Sequence, residues 1–523
     1  MKEPLILTID YGTQSVRAGL FNKRGEVVDL VQIKYDPAYH SPKSGYAEQD
    51  PNYYYEKLCE ATQKLVANNK DKIDDILGMA MSFFRDSIVI TDKENKPLRP
   101  AILWLDERRA DGRFKLPATS RAIFSLVGMK DTIDLNMKRS MGQWLRENEP
   151  ENYEKMDKFM MISTYINMLL LGDYVDSPSC QAGHLPIDFK HGKFYTKDTH
   201  LKGQIFGVPV SKLCRLVKQG QEVGKLCEKA AKDTGLPVGL KMLVTGSDKS
   251  AETLGLGCID DSIAAVSYGT ASTVEISLKK YSDAEPFLPS YPAILPNKWD
   301  MDVQIYRGYW MLHWFEQQFG QRESLEAQIQ KMSSLQILNE KMLKINPGSD
   351  GLILQPYWTP GLRRPLAKGA IIGWSDTHTY LHMYRAIIEG IAYALREGLE
   401  FFEKKRLHHK VKEIRIAGGG SRSDAICQIT ADVFGLPVSR VHTNECSSLG
   451  CAMAGFICAG EFKNEEEAVK SMVRTSDTFT PNEANHKRYD YLFNEVYMQM
   501  YPRLSGIYKS LKNYEKKLEK NEL

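Results

Sequence analysis

Two aspartates, two Gly-Thr turns and a run of three glycines are the residues in this chain whose types and settings suit phosphoryl chemistry. Asp10 closes an apolar run, Leu5–Ile9, and stands directly before Tyr11-Gly12-Thr13-Gln14. A carboxylate there can hold Mg2+, commonly through water because that ion gives up its shell reluctantly. It can equally serve to stabilise the turn. Asp248 lies in Gly246-Ser247-Asp248-Lys249-Ser250-Ala251, between an apolar strand pattern and a helical one. At that place Asp is a good helix N-cap, or a general base that takes the proton from an attacking hydroxyl. Phosphoryl transfer asks the protein mainly for alignment and charge neutralisation, with one carboxylate to receive that proton. Gly12-Thr13 and Gly269-Thr270 each place a flexible backbone and a hydroxyl at a bend, a combination that can grip phosphate oxygens. Taken singly each reads as an ordinary tight turn; their paired occurrence favours the phosphate reading. Gly418-Gly419-Gly420 lacks side chains where a flat ring could lie against the backbone, and is otherwise a plain turn. No Gly-Lys-Ser/Thr occurs in the chain, so it holds no Walker loop. Arg85-Asp86 and Trp104-Leu105-Asp106 bring a fork of donors, carboxylate acceptors and an indole, suited to orienting hydroxyls on a carbon skeleton. The alternative is an exposed ion pair and a core tryptophan.

The elements around these residues predict how they are positioned. Leu5–Ile9, Val16–Phe21 and Val27–Tyr35 read as three strands joined by tight turns, and Pro51 to about Asn69 as a helix. Strands near Ile76–Ser82 and Ser87–Thr91 follow, so that Arg85-Asp86 falls between strands. The opening recurs in the second half, where Tyr268-Gly269-Thr270-Ala271-Ser272-Thr273 echoes Tyr11-Gly12-Thr13-Gln14-Ser15-Val16, again between two apolar strands. A shared strand–turn–strand context points to internal duplication. Ser267 occupies the place of Asp10 in the second copy, so one half alone carries the metal carboxylate. Tyr380–Phe402, Asp424–Phe434 and Ser447–Cys458 read as helices, with strands at Val411–Ala417 and Leu436–Val441 between them. Alternating strands and helices imply an α/β fold in each half. The charged stretch from Lys509 onward reads as a solvated terminal helix.

Bulk properties exclude several classes. A chain of 523 residues exceeds one hydrophobic core, so two large domains are expected. The balance of 69 basic against 66 acidic residues gives no reason to expect nucleic acid as a partner. The nine cysteines include no Cys-x-x-Cys pair, and Cys446, Cys451 and Cys458 read as small buried hydrophobes. With no targeting segment, and an apolar stretch near Phe159–Leu171 too short to span a bilayer, the expectation is a soluble cytoplasmic protein without a membrane partner. A homodimer is the default expectation for its assembly.

Taken in order, these segments resemble the FGGY carbohydrate kinase family from about Leu5 to Gly460. The resemblance is carried by Ile9-Asp10-Tyr11-Gly12-Thr13, Gly45-Tyr46-Ala47-Glu48-Gln49-Asp50-Pro51, Pro100–Trp104, Gly246-Ser247-Asp248, Ser267-Tyr268-Gly269-Thr270 and Gly373-Trp374-Ser375 through Gly390. Gly418-Gly419-Gly420 and Glu445 through Gly450 complete the order. It implies two ribonuclease-H-like (actin/hexokinase-type ATPase) domains with an interdomain cleft: residues 1–250 for sugar binding and the catalytic base, 251–508 for nucleotide, and a charged helical tail at 509–523. It further implies ATP and Mg2+ as cofactors, a small-molecule sugar or polyol as substrate, and Asp248 as catalytic base. Arg85, Asp86 and Trp104, with Asp248, would bind the sugar. Gly12, Thr13, Gln14, Gly269, Thr270, Gly419 and Gly420 would contact the nucleotide, and Asp10 the metal. Phe84-Arg85-Asp86 departs from both the xylulose and glycerol kinase patterns and is nearer the glycerol one, though Asp is shorter than the Glu found there and leaves more room. Lys249 stands where a neutral or acidic residue is usual, and a cation there would lower the base's pKa or contact phosphate. A ketose or polyol of four to six carbons is therefore expected in preference to glycerol. The alternatives are a glycerol kinase-like activity, a weakly catalytic sugar sensor, or a chaperone-like ATPase.

Overall fold

The computed structural model describes residues 3–126, 130–181, 185–283, 289–361, 364–519 and 521–522. The chain forms two compact units. The first gathers residues 1–257, 279–300 and 445–473; the second gathers 258–278, 301–444 and 474–523. The chain therefore returns twice to the first unit after entering the second.

In the first unit, β1 (Leu5–Tyr11), β2 (Ser15–Asn22) and β3 (Val27–Lys34) form an antiparallel meander. After α1 (Pro51–Asn68) come β4 (Ile76–Phe83), the short edge strand β5 (Gly224–Lys225) and β6 (Lys241–Ser247), giving the order β5-β6-β4-β1-β2-β3. Both β1 and β6 run parallel to β4. Side chains alternate between faces along a strand. Leu5, Leu7, Ile9 and Tyr11 accordingly share a core with Tyr54, Leu58, Ala61 and Leu65 of α1. Asp50 starts that helix by accepting from the Asn52 N–H, with Pro51 at its first position.

The second unit repeats the plan. Strands β7 (Ile263–Tyr268), β8 (Ser272–Leu278) and β9 (Trp299–Ile305) are followed by α3 (Tyr380–Phe402), β10 (Glu413–Ala417), α4 (Asp424–Phe434) and β11 (Val438–Val441). The seven-stranded sheet runs β9-β8-β7-β10-β11-β12, with the two-residue strand Tyr291–Pro292 outside β9 and β12 (Thr475–Phe479) antiparallel at the other edge. Laid beside β3-β2-β1-β4-β6 of the first unit, β9-β8-β7-β10-β11 corresponds strand for strand, with β7 parallel to β10 as β1 is to β4; the edge strands differ, since β5 precedes β6 in the chain whereas β12 follows β11. The duplication inferred from two hexapeptides is thus a duplication of a ribonuclease-H-like α/β unit.

Two further helices complete the frame. α2 (Asp248–Gly255) leaves the end of β6, and α5 (Cys446–Cys458) lies across β1, β4 and β6. The stretch from Lys509 is not a helix of its own. It is the second half of α6 (Met498–Glu519), whose buried Tyr508 hydroxyl donates to Gln355. Beyond that anchor, residues 509–518 are exposed, in keeping with the solvated stretch that the charge run suggests. No described helix is long and apolar enough to cross a membrane.

Candidate active site

The first unit's site is built at the ends of three neighbouring strands. In register, Asp10 of β1 stands beside Ser82 of β4, and Ser82 beside Gly246 of β6. Parallel strands end together, so Asp10, Arg85 and Asp248 leave the sheet from the same edge, where open α/β sheets present their ligand sites.

Asp10 is buried, at 7 % exposure, on the face that carries α5. One oxygen accepts from the Ser82 hydroxyl at 2.6 Å and the other lies 3.5 Å from Arg17 Nη1. Arg17 Nε is in turn 3.3 Å from Glu445, the residue preceding α5. Burial pushes the Asp10 carboxyl up, against the lowering effects of the Ser82 hydrogen bond and the Arg17 charge. Among the described residues no group of three or more His, Cys, Asp or Glu could hold a metal. One carboxylate at a strand end nonetheless fits Mg2+ that arrives on nucleotide phosphates, because this ion keeps several waters and needs only one or two protein carboxylates.

Asp248 is not the cap of its helix. Ser247 fills that place, its side chain accepting from the Ser250 N–H, and Asp248 is the first helical residue. Its carboxylate accepts from the Lys249 N–H at 2.8 Å. Burial raises its pKa to about 6; Lys249 and Arg85 pull it down, while Asp10 and Glu252 push it up. Lys249 Nζ is held by Glu252 at 3.0 Å. A carboxylate of this proton affinity beside two cations suits proton abstraction near neutral pH.

Trp104 donates its indole N–H to Thr13 Oγ1 at 3.2 Å, and its backbone N–H to Ser87. The expected sugar-side indole and the first turn are therefore joined directly. Gly12 donates its N–H to the Ser15 carbonyl, closing the turn, so Thr13 and the exposed Gln14 are what this turn presents outward. The Arg85 guanidinium lies over the Tyr291 ring, 4.0 Å from its centroid. Asp86 adopts a left-handed backbone at φ 62°, uncommon for a residue with a side chain and worth noting at a strand end. Asp106 differs from the hydroxyl-orienting role expected of it. Its carboxylate is engaged by the Arg108 guanidinium at 2.7 Å and by the Ala47 N–H at 2.7 Å, bracing the segment behind Trp104.

In the second unit the Gly269 and Thr270 carbonyls accept from the Tyr309 and Trp310 N–H groups, pinning the next segment to the turn. Gly418, at φ 82°, brings the glycine run back against Tyr268: a Cβ on Gly420 would lie 2.6 Å from Tyr268 Cβ and 2.9 Å from Tyr309 Cε2. Gly420 is buried under these rings, whereas Gly419 is exposed. Tyr309 has no motif of its own in the sequence. Arg17 did leave a signal, since it and Asp10 sit opposite each other across the predicted hairpin.

Residues 5–255 match the N-terminal domain of the FGGY family of carbohydrate kinases, and residues 264–459 match its C-terminal domain. A xylulose kinase of Lactococcus lactis is 29 % identical over 510 residues, covering 96 % of this chain and 97 % of that protein. A gluconokinase of Bacillus licheniformis is 25 % identical over 519 residues, covering 98 % of each. The crystal structure of a gluconate kinase from Lactobacillus acidophilus superposes with a TM-score of 0.80 at 20 % identity, over 97 % of this chain and 100 % of that one, which supports the fold. The chain belongs to the FGGY family of carbohydrate kinases and is a phosphotransferase that acts, with ATP, on a sugar or polyol hydroxyl.

Proposed function

We propose that this kinase phosphorylates a ketose or polyol of four to six carbons, with Asp248 as the general base. The observation that carries this is the Asp248 carboxylate at the edge where β1, β4 and β6 end, buried enough to bind a proton near pH 6 and flanked by Arg85 and Lys249. In this reading Arg85, Asp86 and Trp104 bind the sugar. Arg85 offers a fork of donors to hydroxyls, Asp86 accepts, and the Trp104 indole packs on the carbon chain. Asp248 receives the hydroxyl proton as the oxygen attacks. Thr13 and Gln14, with Gly12 shaping their turn, are nucleotide contacts, as are Gly269, Thr270 and Gly419, with Gly420 allowing its loop to pack. Asp10 is the residue that would hold Mg2+, and Ser82 and Arg17 keep that carboxylate in place. The metal's contribution is to neutralise phosphate charge.

The full-length match to proteins named xylulose kinase supports a ketose, and the gluconokinase match makes a sugar acid the first competitor. The test is ADP release with Mg-ATP across a panel of pentuloses, hexuloses, pentitols, glycerol and aldonic acids, with the product's phosphorylated carbon read by 31P–1H NMR. Turnover fastest on a four- to six-carbon ketose or polyol is expected. Turnover confined to glycerol or to aldonic acids would overturn the substrate assignment.

A further inference from the structure

Residues 279–283 and 289–300 follow β8 and belong to the first unit. Their anchoring is tied to the helix that carries the proposed base. The Ile294 N–H donates to Ser250 Oγ at 2.7 Å, and Ser250 is two residues beyond Asp248. Ile294 also lies flat on the end of β6, where a Cβ on Gly246 would come within 2.6 Å of its Cγ1. Three residues before Ile294, Tyr291 pairs with Asp300 and Pro292 with Trp299, which fixes the backbone from the other side. The Tyr291 ring is set edge-on to Phe189, with centroids 5.2 Å apart, and offers a face to the Arg85 guanidinium at 4.0 Å.

Arg85 follows β4 at a place where the chain has left its ladder. A long guanidinium side chain there has many rotamers, and fixing one costs entropy on each binding event unless the protein has already fixed it. A ring face supplies that restraint through the attraction of a cation to the π cloud, and leaves the edge N–H groups of the fork directed away from the ring.

We propose that Tyr291 is a positioning residue for substrate recognition, holding the Arg85 guanidinium flat so that its N–H fork meets the sugar hydroxyls beside Asp248. The inference rests on Arg85 being a sugar contact. Tyr291 itself touches no reacting atom in this account; its influence runs through Arg85. The pinning of its segment to Ser250 means that Arg85, Tyr291 and the Asp248 helix form one braced group.

The test uses the full chain and steady-state kinetics, with xylulose as the first probe and the fastest panel compound if xylulose is slower. Tyr291→Leu removes the ring face and should raise KM for the sugar by about five- to thirtyfold, a range that follows from the strength of a cation–π contact. The KM for ATP should stay within about twofold. Tyr291→Phe keeps the face and should restore the sugar KM. In an Arg85→Ala background, Tyr291→Leu should change the sugar KM by less than about twofold. An unchanged sugar KM in Tyr291→Leu, or a full multiplicative effect in the Arg85→Ala background, would overturn the positioning role. If Arg85→Ala itself leaves the sugar KM unchanged, the assignment of Arg85 as a sugar contact fails instead. A Leu variant that has merely lost its fold would show a lowered thermal midpoint and an altered ATP KM, and Tyr291→Met, which fills the space without a ring face, then takes its place in the same comparison.

Discussion

Asp248 draws its proton affinity from a burial that raises it and from two cations that restrain it. A general base works only when ionised, so kcat/KM should fall as the pH drops through about 6. Lys249 is one of the restraining charges. Lys249→Met removes it and leaves Glu252 beside the base without its 3.0 Å partner, so the acid limb should move to higher pH, while Lys249→Arg should leave it in place. A limb that stays put or moves down in Lys249→Met would show that Lys249 does not act on the base. At this scale the sequence was most informative about residues at turns. Asp10, Gly12-Thr13 and Gly269-Thr270 stand at the strand–turn junctions that their types and context predict. It was less informative where burial decides the role: Asp106 resembles an exposed acceptor in one dimension, yet Arg108 and Ala47 use its carboxylate. Tyr291 gave no signal, because its meeting with Arg85 spans some two hundred residues of chain.

At the scale of elements, the helix that carries Asp248 is seated by backbone contact. A Cβ on Gly255 would lie 1.9 Å from the Cys446 carbonyl oxygen, and one on Gly450 would lie 1.8 Å from that of Ala251. α2 and α5 therefore cross with glycine against backbone on both sides, which only residues lacking a Cβ allow. Gly450→Ala must push the helices apart. Overpacking of this kind costs about 1–3 kcal/mol or more, so the thermal midpoint should fall by several degrees and kcat with it, since Asp248 moves. Gly506→Ala is the control: its Cβ would meet nothing within 4 Å inside α6, and the stability should hold or rise by about 0.5–1 kcal/mol. Equal stability of Gly450→Ala and the parent would contradict the close crossing. The helices themselves were readable from their apolar periodicity, α4 to the residue. Their crossing was not, because small residues at Gly255 and Gly450 mark a close approach without naming the partner.

For the whole molecule, the most telling sequence feature was a repeated hexapeptide, and the structure extends it to two sheets that share a run of strands in one order. The repeat was visible where the turns carry chemistry and invisible elsewhere, since the intervening strands need only be apolar. Several of the segments that carry the family resemblance prove to be architectural. Asp50-Pro51 starts α1, Glu48 pairs with Arg99 and Arg108, and Glu389 binds Arg385 and accepts from Gly348, Ser349 and Tyr489. In the proposed mechanism the kinase chemistry rests on a small set of residues at the ends of β1, β4 and β6, with Asp248 at the centre. The most direct measurement is Mg-ATP turnover on the best panel sugar by wild type and by Asp248→Asn, which keeps the side chain's shape and removes its basicity. Sugar-dependent ADP release that falls by about 10^2- to 10^4-fold in the variant, with the KM for ATP nearly unchanged, is the predicted result. Undiminished turnover by Asp248→Asn, or ADP release that no sugar or polyol stimulates in the wild type, would contradict it.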